Sequence, residues 1–145
     1  PVPKGISAVI VHPHMFLATK QARAILKRDV AMADFVWQTA NIAGFISVCY
    51  TDDLELIREG LNDVVIEPQR RQLIPGFTAV RNASLAAGSL GCSISGAGPT
   101  MFAWAQTDVA EAVRSAMVQE FARHGVETDH WVVGVESDGA RVVSA

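Results

Sequence analysis

Two short apolar runs, Cys92–Ser95 and Thr100–Ala105, are separated only by Gly96-Ala97-Gly98-Pro99. A break this short holds a tight turn but not a crossover, which takes a dozen or more residues. The two runs therefore read as antiparallel neighbours, and a sheet built on them is antiparallel at least there. Ile6–Val11, ending at His12-Pro13, adds a β-branched run with the look of a buried strand. Trp131–Glu136 and Ala140–Val143, separated by Asp138-Gly139, read as the last strands. Helical patterns fill the spaces between. Thr19 is placed to cap a short helix over KQARAILK. Asp34–Tyr50 is apolar most of the way round a helical wheel, which predicts a helix covered on more than one side. Leu54, Ile57, Leu61 and Val64 share one face of a helix over Leu54–Val65, which Gly60 weakens. Thr78–Ala87 reads as a helix stopped by Gly88. Val109, Val113, Ala116, Met117 and Phe121 form a stripe ended by Gly125. The order of elements predicts an α+β fold, an antiparallel sheet with helices packed on one face.

The chain has 145 residues, half of them hydrophobic and 19% charged. That excludes intrinsic disorder and is enough for one domain with its own core. A net charge of −3 with no basic run leaves no electrostatic footprint for nucleic acid or an anionic membrane. Asp34, Gln38, Asn41 and Gly44 interrupt the most apolar stretch, which is therefore not a membrane span. That helix suits the core or a second subunit equally, so a homodimer stays open. Cys49 and Cys92 form no CxxC pair, and a reducing cytoplasm is the simpler setting. The chain opens Pro1-Val2-Pro3-Lys4, with neither Met nor a signal-peptide pattern, and reads as one entered partway along.

Several segments could carry chemistry. Ser95, Gly96, Ala97 and Gly98 form a loop almost free of side-chain bulk, where backbone amides can approach a ligand closely. The plainer reading is a hairpin turn. The loop is no Walker motif, lacking Lys-Ser/Thr after the glycines, and no dinucleotide fingerprint, lacking the third glycine. Thr19 and Arg23 would stand at the start of one helix on roughly the same side, an arrangement suited to a carboxylate or phosphate. An ordinary cap followed by a surface arginine fits them as well. In Glu67-Pro68-Gln69-Arg70-Arg71 adjacent arginines project about 100° apart, so one at most aims into a given site. A local Glu–Arg pair at a solvated helix start is the simpler account. His12-Pro13-His14 lacks a third metal ligand at any standard spacing and reads as a strand-end turn. Ser93 and Ser95 can share one side of a strand, but no His or Asp near them in sequence would activate either. Asp52, Asp53 and Glu55 read as a solvated helix start.

Together these segments resemble the GHMP kinases, the galactokinase, homoserine kinase and mevalonate kinase superfamily, and within it the homoserine kinases. The resemblance rests on GSLGCSISGAGPTMFAWA (Gly88–Ala105), TKQARAIL, NIAGFISVCY, IEPQRRQLIPGF and the terminal GARVV, and it spans Ile6 to Val143. It implies a ferredoxin-like C-terminal domain and ATP-dependent phosphorylation of the L-homoserine hydroxyl to O-phospho-L-homoserine, on the way to threonine. It places homoserine carboxylate contacts on Thr19, Arg23 and Arg70, and an active-site glycine loop on Ser95, Gly96, Ala97 and Gly98. The family's ATP phosphate loop, PxxxGLGSSAA-like, belongs to an N-terminal domain and is not found in this sequence. The expectation is therefore a C-terminal domain over residues 1–145, with ATP and Mg²⁺ held mainly by a missing half and no catalytic or metal-binding residue here. Such a chain would be inactive alone. Two rivals remain: a non-catalytic amino-acid sensor, and a GHMP kinase for another small alcohol.

Overall fold

The computed structural model describes residues 1–135 and residue 142. The elements in chain order are β1 (Ile6–Pro13), α1 (Thr19–Ala24), α2 (Met32–Thr51), α3 (Leu54–Gly60) and α4 (Glu67–Arg70). A 3₁₀ turn (Arg71–Leu73), α5 (Phe77–Ala86), β2 (Gly91–Ile94), β3 (Met101–Gln106), α6 (Ala110–Arg123) and β4 (Thr128–Gly134) follow. The strands form one sheet in the order β2-β3-β1-β4, and every neighbouring pair is antiparallel.

Alternation along the strands sorts the residues into two faces. Val9 and Val11 of β1, Met101, Ala103 and Ala105 of β3 and Cys92 of β2 meet one helical layer. In it α5 contributes Phe77 and Val80, and α6 contributes Ala110, Val113, Met117 and Phe121. These residues are the main core; of the α6 stripe read from the sequence, Val113, Met117 and Phe121 are buried in it, Val109 packs against it, and Ala116 is only half-buried. The α+β arrangement on an antiparallel sheet is as expected, although α2 and α3 also pack on the opposite face, so the helices do not keep to one side. A smaller cluster lies on the other side of the sheet. There Ile6 and Trp104 meet Val48 of α2 and Ile57 of α3, and the Phe45 and Trp104 rings sit 5.1 Å apart.

Several expectations change. The helix over Leu54–Val65 stops at Gly60, and Gly60 has a packing reason to be there. A Cβ on it would stand 3.0 Å from the Phe45 backbone nitrogen, so glycine lets α3 approach α2. Beyond it the Asp63 carboxylate accepts N–H bonds from Val65, Ile66 and Glu67 at 2.8–3.1 Å and starts α4. Among the described residues the α2 helix is covered on one side rather than several: Asn41 and Val48 are buried, while Met32 and Tyr50 are each 75% exposed. Its partners among the described residues, α3, the Asn62–Val64 segment and Trp104, meet it at Gln38, Asn41, Phe45 and Val48, along one face. Even so, among the described residues no helix is long and apolar enough to cross a membrane. The last strand among the described residues begins at Thr128, three residues before its expected start at Trp131. The strand expected over Ala140–Val143 lies outside the described residues, apart from the exposed Val142.

Candidate functional site

The hairpin between β2 and β3 closes with Ser95 N–H donating to Thr100 O at 2.8 Å and Gly98 N–H to Ser95 O at 3.0 Å. Gly96 (φ +59°) and Gly98 (φ +83°) both lie in the left-handed region, so the loop needs glycine at both positions. It is a turn and also a bare stretch of exposed backbone. At its far end Thr100 Oγ1 lies 2.8 Å from His12 Nδ1, tying the loop to the end of β1. His12 is thus a β1 residue rather than part of a turn. His14, just beyond β1, lies 3.1 Å from Asp129.

The segment before α1 reaches the same place, since Leu17 flanks Gly98. One expectation for α1 needs correction. Thr19 is the first helical residue, not the cap; Ala18 takes the cap position, with no side-chain capping bond. The Thr19 hydroxyl therefore does not close the helix end, and with six residues α1 has little dipole to offer. Thr19 and Arg23 remain one turn apart and exposed.

Arg70 joins these pieces. From the end of α4 its Nε donates to Ala22 O of α1 at 3.0 Å, and its Nη1 donates to Gly96 O at 3.0 Å. One guanidinium thus holds α1 against the glycine loop. Two of the five N–H donors of an arginine are engaged in this way. Arg71, the other arginine of the pair, is exposed in the 3₁₀ turn. Gln69 helps from the same helix: its Oε1 accepts from Lys27 N–H at 2.7 Å, just past α1. Arg70 therefore ties α1, the helix that carries Thr19 and Arg23, to the Ser95–Gly98 loop, and Thr19, Arg23, Ser95 and Gly96 are open to solvent.

Sequence reasoning missed the support beneath it. Glu67 is buried, and its Oε2 accepts from Ser93 Oγ at 2.5 Å while its Oε1 faces Arg81 Nε at 3.5 Å. Arg81 Nε also donates to Cys92 O at 3.3 Å. Burial pushes the Glu67 carboxyl above its ordinary range, against the opposing effects of the Ser93 bond and of Arg81. Ser93 thus faces a carboxylate 26 residues away in sequence. The available signals were slight: a glutamate at a helix start and a serine in an apolar strand. Ser95 is not part of this contact; it is exposed in the loop. Burial also pushes the Cys92 thiol up to about 12, which makes it a protonated core residue rather than a nucleophile. Among the described residues no group of three or more His, Cys, Asp or Glu is placed to hold a metal ion.

The family model described as "GHMP kinases C terminal" matches residues 45–124. Over 143 residues the chain is 46% identical to a protein of Xylella fastidiosa (strain M12) named homoserine kinase, covering 98% of this chain and 44% of that one. It is 42% identical over 145 residues to a homoserine kinase of Chlorobaculum tepidum, covering 98% of this chain and 45% of that one. The crystal structure of homoserine kinase from Cytophaga hutchinsonii superposes with a TM-score of 0.91 at 40% identity, over 93% of this chain and 43% of that one. The chain thus spans less than half the length of the relatives it matches.

Proposed function

The chain belongs to the GHMP kinase family, as its C-terminal domain, and from this premise we propose that it is the substrate-binding part of an ATP-dependent homoserine kinase. The reaction would move the γ-phosphate of ATP to the side-chain hydroxyl of L-homoserine, giving O-phospho-L-homoserine for threonine synthesis. The observation that carries this reading is the Arg70 guanidinium, which draws the exposed Thr19–Arg23 helix and the glycine loop together. The names and identities of the relatives point to the same substrate.

In this reading the carboxylate of homoserine docks on Arg23 and on the donors Arg70 has left, with the Thr19 hydroxyl beside them. Arg70 Nε is engaged with Ala22, so its side-on fork is closed and the Nη2 edge is what it can still offer. Holding the carboxylate fixes the rest of a small amino acid, and phosphoryl transfer draws most of its acceleration from such positioning. The exposed Gly96, which has no side chain, lets a reacting group come close to the backbone. ATP phosphates and Mg²⁺ would be held by a second, nucleotide-binding domain working with residues 1–145.

The test joins this chain to the nucleotide-binding half of a homoserine kinase relative and follows homoserine-dependent ADP release. Turnover with L-homoserine, and none with mevalonate or galactose, is the expected result. No turnover, together with calorimetric binding of L-threonine but not L-homoserine, would replace the kinase reading by an amino-acid sensor.

A further inference from the structure

The helix that carries Arg70 has only four residues. One turn is far below the length at which a helix stands alone, because nucleation fixes several dihedrals for a single hydrogen bond. Its position must come from anchors at its two ends. At the N-terminal end Asp63 accepts three backbone N–H bonds, and the Glu67 carboxylate ties the helix to Ser93 of β2 and Arg81 of α5. At the C-terminal end Arg70 reaches α1 and the glycine loop, and Gln69 reaches Lys27 beyond α1. We infer that Glu67 is a positioning residue for Arg70: through the short helix α4 it sets where the guanidinium meets α1 and the glycine loop. This rests on the carboxylate-binding role proposed for Arg70, but the geometry it describes stands without that role.

Stability alone gives little reason for a carboxylate at this point. A buried ion pair is often replaced by apolar residues at no loss, and Arg81, its partner, lies 3.5 Å away and is partly solvated. What a well-packed apolar residue could not supply is direction. The two oxygens of Glu67 reach two different elements, so the helix is fixed in rotation as well as in place. Arg70 lies three residues further on, nearly one turn, and so a rotation of α4 would swing its guanidinium off both carbonyls.

Two measurements test this. In the first, the exchange protection of the Arg70 Nε–H is followed by ¹⁵N NMR in the 145-residue chain, which asks nothing about catalysis. Glu67→Ala should lower that protection by about tenfold, and Glu67→Gln, which keeps an acceptor for Ser93, should keep it within about threefold. Should Glu67→Ala fail to fold, Ser93→Ala decides, with an expected loss of about threefold. Protection unchanged in the folded variant overturns the inference. In the second, KM for L-homoserine is measured in the joined enzyme for Glu67→Ala, Arg70→Ala and both. Glu67→Ala should raise KM about tenfold with kcat within about threefold, and should add nothing once Arg70 is alanine. Additive effects in the double variant mean that Glu67 does not act through Arg70. Loss of Nε–H protection in a chain that shows no use of homoserine would retain the positioning role and discard the kinase reading.

Discussion

Replacing Arg70 by lysine preserves the charge and most of the length of the side chain, and so isolates the contribution of the planar fork. In the structure the guanidinium donates to two carbonyls on different segments, Ala22 O and Gly96 O, both at 3.0 Å. A single ammonium is a point charge on a flexible stem and cannot hold both in that geometry. A hydrogen bond from a charged donor contributes roughly 1.5–3 kcal/mol when protected, and less when exposed. The bond to Ala22 is part-buried and the bond to Gly96 is exposed, so their joint contribution should be about 2 kcal/mol. Arg70→Lys should lose at least half of it. A loss of about 1 kcal/mol lowers the melting temperature of a chain this size by roughly 3–4 °C, and full loss in Arg70→Ala by about twice that. Urea unfolding should show a lower midpoint at unchanged slope. Hydrogen exchange should report faster opening at the Gly98 amide, which closes the loop on Ser95. An Arg70→Lys chain with the wild-type midpoint and Gly98 protection would refute the idea that a bidentate strut holds the loop.

Three other outcomes follow from single contacts. Gly60→Ala puts a methyl 3.0 Å from the backbone of Phe45, so α2 and α3 must separate; the expected cost is about 1–3 kcal/mol. A changed near-ultraviolet circular dichroism signal from the Phe45–Trp104 pair should accompany that loss, and an unchanged signal and stability would show that α3 yields freely. The Glu67 carboxyl is raised above its ordinary 4.5, chiefly by burial, with Asp63 adding and Ser93, Arg81 and Arg71 opposing. Between 4.5 and its folded value the native state holds a proton that the unfolded chain has released, so this group's contribution to stability falls as pH rises through that window. Wild type should therefore gain on Glu67→Gln in urea midpoint as pH drops from 7 toward 4.5, the comparison cancelling the other carboxylates; a relative loss on acidification would contradict it. Cys92, with its thiol pushed up to about 12 in the core, should resist iodoacetamide at pH 8 until the chain is unfolded. Alkylation of Cys92 in the native state at the rate of a free thiol would place it outside the core.

Local physics was legible along the chain wherever neighbours in sequence decide the outcome. The spacing of Val109, Val113, Met117 and Phe121 exposes one apolar face, and a helix with one such face must bury it; α6 does. The glycines of the 96–98 loop permit positive φ, and the apolar runs around them leave an antiparallel hairpin as the only short connection. The quoted motifs likewise carried the family, because a motif is a local property.

Where two distant segments had to meet, the residues alone did not choose. Nothing near Glu67 indicates that it faces Ser93, or that Arg70 rather than Arg71 turns toward Gly96. Those outcomes depend on how α4 is seated against β2, α5 and α1, and adjacent residues on a helix face different ways for any seating. Thr19 had the right chemistry for a cap, but the backbone turned helical one residue earlier. The breadth of the apolar surface on Asp34–Tyr50 was plain, but which part of it this chain covers was decided by the single face that α3 and Trp104 reach. Composition and periodicity determined which elements form and which faces are apolar, since burial acts on each element separately. The tertiary structure decided which polar groups meet, because a buried carboxylate or guanidinium takes its partner from whatever the packing brings within about 3 Å.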